Sequence, residues 1–255
     1  DLTLAGNLNS TGRASSLGNF NLSAAQLDLS KDASLAGGGV TTANLSGTLN
    51  NKGRLTSASD LTLNAGTLNN YGTLGSGQKL TATTGALLND HGLIFSGGDM
   101  ALQVDTLTNT SADIYSLDGI DVLGKDGTGQ ASRIDNLSGR IESTADMSLK
   151  SAIVTNKMDG VSASPARLTI SSIGVRCSDC GSIADSSPIS SSHLVWLQTY
   201  EAPAQTSSQK VAANLTAGKN LTVVGDTFTN VNSSVSAGGT LNMTVTDFNN
   251  TASLV

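Results

Sequence analysis

The residues of this chain best suited to chemistry or recognition crowd into one stretch. Cys177-Ser-Asp-Cys180 holds both cysteines, and His193-Leu-Val-Trp-Leu-Gln-Thr-Tyr200 follows with one of two histidines and the only tryptophan. Two cysteines at this spacing permit three chemistries: a small local disulfide loop, half of a zinc site, or a redox pair. A zinc site needs two further ligands, and only His91 and His193 exist, far apart in sequence. A redox pair calls for a βαβ setting, which is missing here. For His193, Trp196 and Tyr200 the functional reading is an apolar and aromatic recognition surface, because Trp and Tyr supply large contact areas at interfaces. The bland reading is a cap, with Trp196 packed against its neighbours.

The acidic residues offer less. Cleavage of polysaccharides needs convergent carboxylates, or a Lys or Arg base beside a calcium ion. Here Asp60, Asp99 and Asp146 recur singly at one repeat position, which suits hydrogen bonding at turns or strand starts. Asp118, Asp121 and Asp126 form the densest cluster, beside Gly124-Lys-Asp-Gly-Thr-Gly129. A solvated turn and a calcium site are both open there, and the turn is the simpler reading. Neither histidine has a nucleophile and an acid at motif spacing. His91 stands where Lys52 and Tyr71 stand in neighbouring copies, a solvent position. The chain is read as no enzyme, with no catalytic residue, metal or cofactor.

The elements that must carry these residues follow from composition. Of 255 residues, 13% are charged, 3% are aromatic, and the net charge is −6. A charge-poor, acidic chain has no electrostatic footprint for phosphate backbones, so nucleic acid is excluded as a partner. The longest apolar run is Leu194-Val-Trp-Leu197, far short of the roughly 20 residues that span a bilayer. Ser, Thr, Asn and Gly together make up 113 residues. Aliphatic side chains must therefore build the core almost without aromatic help, which favours a thin, repetitive architecture.

A repeat of about 20 residues supplies it. Asp60-Leu-Thr-Leu63, Lys79-Leu-Thr-Ala82, Asp99-Met-Ala-Leu102, Asp146-Met-Ser-Leu149 and Asn220-Leu-Thr-Val223 are copies of one segment. A second apolar position follows at Leu68, Leu88, Leu107, Val154 and Phe228, usually with Asn two residues on. A third comes at Leu55, Leu74, Ile94, Ile114 and Ile141. Three short alternating segments per period, separated by turn residues, predict an all-β fold, a right-handed parallel β-helix with one coil per repeat. Stacked coils place Leu over Leu and Asn over Asn, and an Asn ladder can bond its amides to the coils above and below. Gly53, Gly72 and Gly92 fall at a corner where positive φ is expected.

The motifs Leu49-Asn-Asn-Lys-Gly53, Leu68-Asn-Asn-Tyr-Gly72 and Leu88-Asn-Asp-His-Gly92 resemble filamentous-haemagglutinin repeats over residues 1–156 and 213–255. The resemblance implies a large exoprotein of two-partner secretion, a group that includes adhesins and the toxin-delivering effectors of contact-dependent growth inhibition. It implies a secreted protein on the outer surface of a Gram-negative bacterium, exported with an outer-membrane transporter as partner. Further partners implied are an outer-membrane receptor on a target bacterium (protein or lipopolysaccharide) or a glycan or protein on a host cell. For an exported protein a Cys177–Cys180 disulfide is the fitting choice among the three. Both ends fall inside the repeat, so an internal segment of a longer protein is expected.

The pattern lapses at Gly124–Gly129 and, more deeply, after Val175. All three prolines lie in or beside this break, at Pro165, Pro188 and Pro203. Leu168 and Val175 keep the repeat offset, so coils are expected over 1–175, a non-repeat insertion over 176–212, and a continuation over 213–255, about eleven coils in all. Insertions on repeat scaffolds are common places for binding. The expected function is thus a stalk presenting a binding element, with a plain stalk, a host-directed adhesin and a β-helical polysaccharide-cleaving enzyme as rivals.

Overall fold

A computed structural model describes residues 1–159 and 211–252, with the backbone of 174–175 and 194–195. Residues 1–160 and 210–255 make one compact unit, and 161–209 a second. Of the second, a short antiparallel pairing of Gly174–Val175 with Leu194–Val195 is described.

The first unit is a stack of ten parallel β-coils. Alternation of aliphatic with small polar residues turns one set of side chains into the lumen and the other to solvent. In one coil the three strands are Leu61–Asn64, Thr67–Asn70 and Thr73–Ser76. First and second strands of successive coils join a 17-stranded sheet, and third strands form a sheet of nine. In the coils starting at Leu80, Met100 and Met147, the first two strands fuse into one strand of 11 residues. Inter-coil bonding continues round the bend there, as where Gly85 N donates to Gly66 O at 3.0 Å.

The lumen is a set of aliphatic columns. Leu61 pairs with Leu80, and Leu80 with Met100; all three are buried, as their spacing predicts. The column runs on through Ile120, Met147 and Leu221. Burial of each such side chain contributes about 1.5–3 kcal/mol, which offsets the entropy of ordering its coil. No single coil can close this surface alone, so stability resides in the stacking.

Four expectations need correction. The second-strand column runs Leu68–Leu87–Leu107: Leu87 is lumenal, and Leu88 faces outward beside Asn69 and Thr108. The following corner is one residue longer here than in the two preceding coils, and the extra residue takes a left-handed backbone, His91 at φ 54°. Ser111, Ser138 and Asn232 do the same in later coils. Secondly, Gly53, Gly72 and Gly92 do not have positive φ. Glycine is needed at Gly72 because a Cβ would collide with the Gly53 carbonyl of the coil below. Thirdly, the stack has ten coils where eleven are expected. The strand Met147–Lys157 pairs directly with Leu221–Val224 and Thr227–Val231. Fourthly, Val175 is not stacked in a parallel coil but pairs antiparallel with Leu194 in the second unit.

Candidate recognition sites

The interruption falls inside one coil. Its first two strands end at Lys157, and its third strand, Asn214–Ala217, stacks on Arg140–Ser143 of the coil below. The chain leaves the stack at the corner after the second strand and re-enters at the same corner. The exit is pinned by Met158 N donating to Val231 O (3.1 Å) and Asp159 N to Ser138 Oγ (2.7 Å). The return is pinned by Ala213 N donating to Ser233 Oγ (3.1 Å) and Asn214 N to Gly139 O (2.9 Å).

What keeps the stack in register across this departure is a buried ladder of asparagines. Asn51 Nδ2 donates to Asn70 Oδ1, and the same bond repeats through Asn89, Asn109, Asn136, Asn156, Asn230 and Asn250, at 2.7–2.9 Å. Asn156 also donates to Ser234 O, and Asn136 to Asn214 O, both residues beyond the insertion. A buried amide both donates and accepts, so each rung satisfies its neighbours without a charge. The ladder's first acceptor, Asn51 Oδ1, is buried without a partner, because Leu29 occupies the rung below.

Cys177, Cys180, His193, Trp196 and Tyr200 lie outside the described residues. The paired backbone of Leu194–Val195 sits between His193 and Trp196 in sequence. His91 is a solvent residue, its side chain 76% exposed and its Nδ1 2.6 Å from Asp90 Oδ1. The recurring aspartates do turn chemistry between coils. Asp60 Oδ1 accepts from Lys79 N (3.1 Å), Asp99 Oδ1 from Gly119 N (3.2 Å), and Asp146 Oδ1 from Asn220 N (2.9 Å). Asp126 bends into its own loop and accepts from Gly129 N (2.8 Å) and Thr128 N (2.9 Å). Those bonds, Gly129's foremost, hold its carboxyl below the ordinary value. Asp118 and Asp121 line an open acidic groove with Asp99 and Asp146. Among the described residues no group of three or more His, Cys, Asp or Glu is arranged to hold a metal ion.

One surface escapes the sequence reading, which finds the regular coils almost bare of aromatic platforms. Phe95 and Tyr115 occupy the same outward position of adjacent third strands. Their rings stack with centroids 5.9 Å apart and planes 18° apart. Beside them runs the outward column Leu93, Asp113, Arg140, and between the two columns lies a groove of about 440 Å³. Arg140 forks onto Glu142, with Nη2 2.8 and 2.9 Å from the two carboxylate oxygens. The signal in sequence is the pair Ile94-Phe95 and Ile114-Tyr115, one repeat apart, a lumenal residue followed by an outward ring.

The haemagglutinin-repeat family model matches four times, over residues 1–70, 57–124, 122–172 and 204–254. The chain belongs to the haemagglutinin-repeat family. No curated protein and no solved structure matches it. The repeats and the solenoid together make it an adhesin-type stalk of a secreted exoprotein. Among the described residues no helix is long and apolar enough to cross a membrane. The gap in the matches, between 172 and 204, falls inside the coil that the chain leaves and re-enters.

Proposed function

We propose that this haemagglutinin-repeat stalk belongs to a two-partner-secreted exoprotein on the surface of a Gram-negative bacterium, exported with an outer-membrane transporter. Residues 176–212 present its binding element to an outer-membrane receptor, protein or lipopolysaccharide, on a target bacterium, as in contact-dependent growth inhibition. The stalk is not an enzyme; it holds the binding element away from the cell and delivers a toxin borne elsewhere on the full-length protein. The observation that carries this reading is the interruption itself. A long non-repeat segment with the tryptophan and both cysteines leaves from a corner whose asparagine ladder continues uninterrupted on either side. A scaffold that keeps its register around so large a departure lets the inserted segment vary while the rod persists.

The test is retention of the purified chain by intact Gram-negative bacteria and by host cells, with and without 176–212. Retention by bacteria should vanish with the deletion while the melting temperature of the coils is held. Trp196→Ala with Tyr200→Ala should weaken it at least tenfold, about 1.4 kcal/mol. Retention by host cells alone would favour the host-directed adhesin, a reading that the family's haemagglutinin character favours. Undiminished retention by the deleted chain would refute a binding role for the segment.

A further inference from the structure

We infer that the end of the coil reached at Lys157 is a docking face for residues 211–252, which are held on the rod by strand stacking and not by chain continuity. A protease that excises the second unit, 161–209, therefore leaves the stack whole. The inference concerns the coils alone and does not rest on the recognition proposed for 176–212.

The first observation is where the two stems stand. Asp159 N donates to Ser138 Oγ and Asn214 N to Gly139 O, so exit and return are tied to consecutive residues of the coil below. The inserted chain bridges no gap in the rod. Both large sheets are built from strands outside 161–209.

Secondly, each strand at the break is paired on both sides by residues outside the insertion. Met147–Lys157 has Ile120–Leu123 and Ala131–Leu137 below it, and Leu221–Val224 and Thr227–Val231 above. Asn214–Ala217 lies between Arg140–Ser143 and Ser234–Ala237. A cut in the inserted chain takes no ladder bond from any of them, so every main-chain donor and acceptor in the coils keeps its partner.

Thirdly, the contact is that of a core. Ile141, Met147, Leu149 and Val154 meet Leu215, Leu221, Val223 and Phe228 in register, and all of them are at most 1% exposed. Across the same face Asn156 Nδ2 donates to Asn230 Oδ1 (2.8 Å) and Ser234 O (2.9 Å), and Asp146 Oδ1 accepts from Asn220 N (2.9 Å). Permanent interfaces between chains have this character, a domain core divided in two. The covalent link adds an effective concentration on the order of millimolar, and a cut replaces it with ordinary association. The occupant of the face is fixed by these registers: it is the chain's own 211–252, joined or severed.

The experiment uses the intact folded chain, with one protease recognition sequence inserted between Gly160 and Val161 and another between Gln209 and Lys210. After both cuts the excised unit is withdrawn by an affinity tag placed in it. Residues 1–160 and 210–255 should then elute together in gel filtration at about 1 μM, with the far-ultraviolet circular dichroism of the coils kept. The melting temperature, independent of protein concentration before cutting, should fall and become concentration-dependent, because unfolding now separates two chains. Phe228→Ala opens a cavity in the docked column and should weaken association of the cut pieces on the order of a hundredfold. Should uncut Phe228→Ala not fold, Asn156→Ala takes its place, with an expected loss of about tenfold from the missing bonds to Asn230 and Ser234. The inference fails if 210–255 separates from 1–160 on cutting or if the β signal of the coils is lost. It fails equally if the two pieces are withdrawn with 161–209, or if the folded variant associates as tightly as the unchanged sequence.

Discussion

The corner after the second strand and the corner before the first each stack into a column, and in both columns side chains bond one coil to the next. In the first column the occupant is asparagine in every coil from Asn51 to Asn250, and seven of those eight side chains are at most 6% exposed, Asn250 alone lying open. In the second the residues change, Asn19, Val40, Asp60, Lys79, Asp99, Gly119, Asp146, Asn220 and Thr240, and they include an apolar side chain and a glycine. There a side-chain oxygen often caps the main-chain N–H of the next coil, as Asp60 does for Lys79 and Asn220 for Thr240. The difference is water. A dry corner requires a neutral group that donates upward and accepts from below, and Asn is among the few residues able to do both. At a wet corner solvent completes whatever the side chain leaves unmade, and many residues serve.

That contrast is open to measurement, beginning with its largest consequence. Asn109→Asp should cost on the order of 3–5 kcal/mol. It removes the donor to Asn136 Oδ1, Ala112 O and Arg140 O and buries a charge in its place. Chemical or thermal unfolding followed by circular dichroism would show the loss. A near-silent Asn109→Asp would mean that the ladder is hydrated.

A smaller effect tests the ladder's end. Leu29→Asn should be tolerated better than Leu27→Asn by about 1–3 kcal/mol. The new amide at 29 can donate to the orphaned Asn51 Oδ1, whereas Leu27 lies fully buried in the aliphatic column beside Leu49. Equal losses in the two variants would show that the orphan needs no donor.

At the wet corner Asp99→Asn should change stability by no more than about 0.5 kcal/mol, because the amide oxygen still accepts from Gly119 N. The smallest effect is one of pH. Asp126 titrates below the ordinary 3.8 because it accepts from Gly129 and Thr128 N–H. A depressed folded value means that the loop's order is fully supported above pH 3.8 and is lost as pH falls through that folded value. Protection of the Thr128 and Gly129 amides, taken relative to the intrinsic exchange rate at each pH, should fall in that window, while the main-chain amides around the neutral asparagine ladder stay protected.

The sequence by itself determined the coil, the lumenal column through Leu61, Leu80 and Met100, the asparagine ladder and the turn role of the recurring aspartates. In a solenoid the spatial neighbour of a residue is the residue one period away, so periodicity in the chain is already tertiary contact. Departures from the period are where that equivalence lapses. Leu87 and Leu88 are identical neighbours, and the pairing of Leu87 with Leu68 and Leu107, with the extra residue taken up at His91, puts Leu87 in the lumen. Gly72 needs its small size because the coil below approaches so closely at Gly53, a distance that no local sequence pattern records. Phe95 and Tyr115 are two scattered aromatics until the stacking of the third strands brings their rings together. The place of the long interruption, inside one coil and at the asparagine corner, was settled by which strands pair across it: hydrogen bonds between Met147–Lys157 and Leu221–Val231 join residues that the repeat spacing leaves far apart.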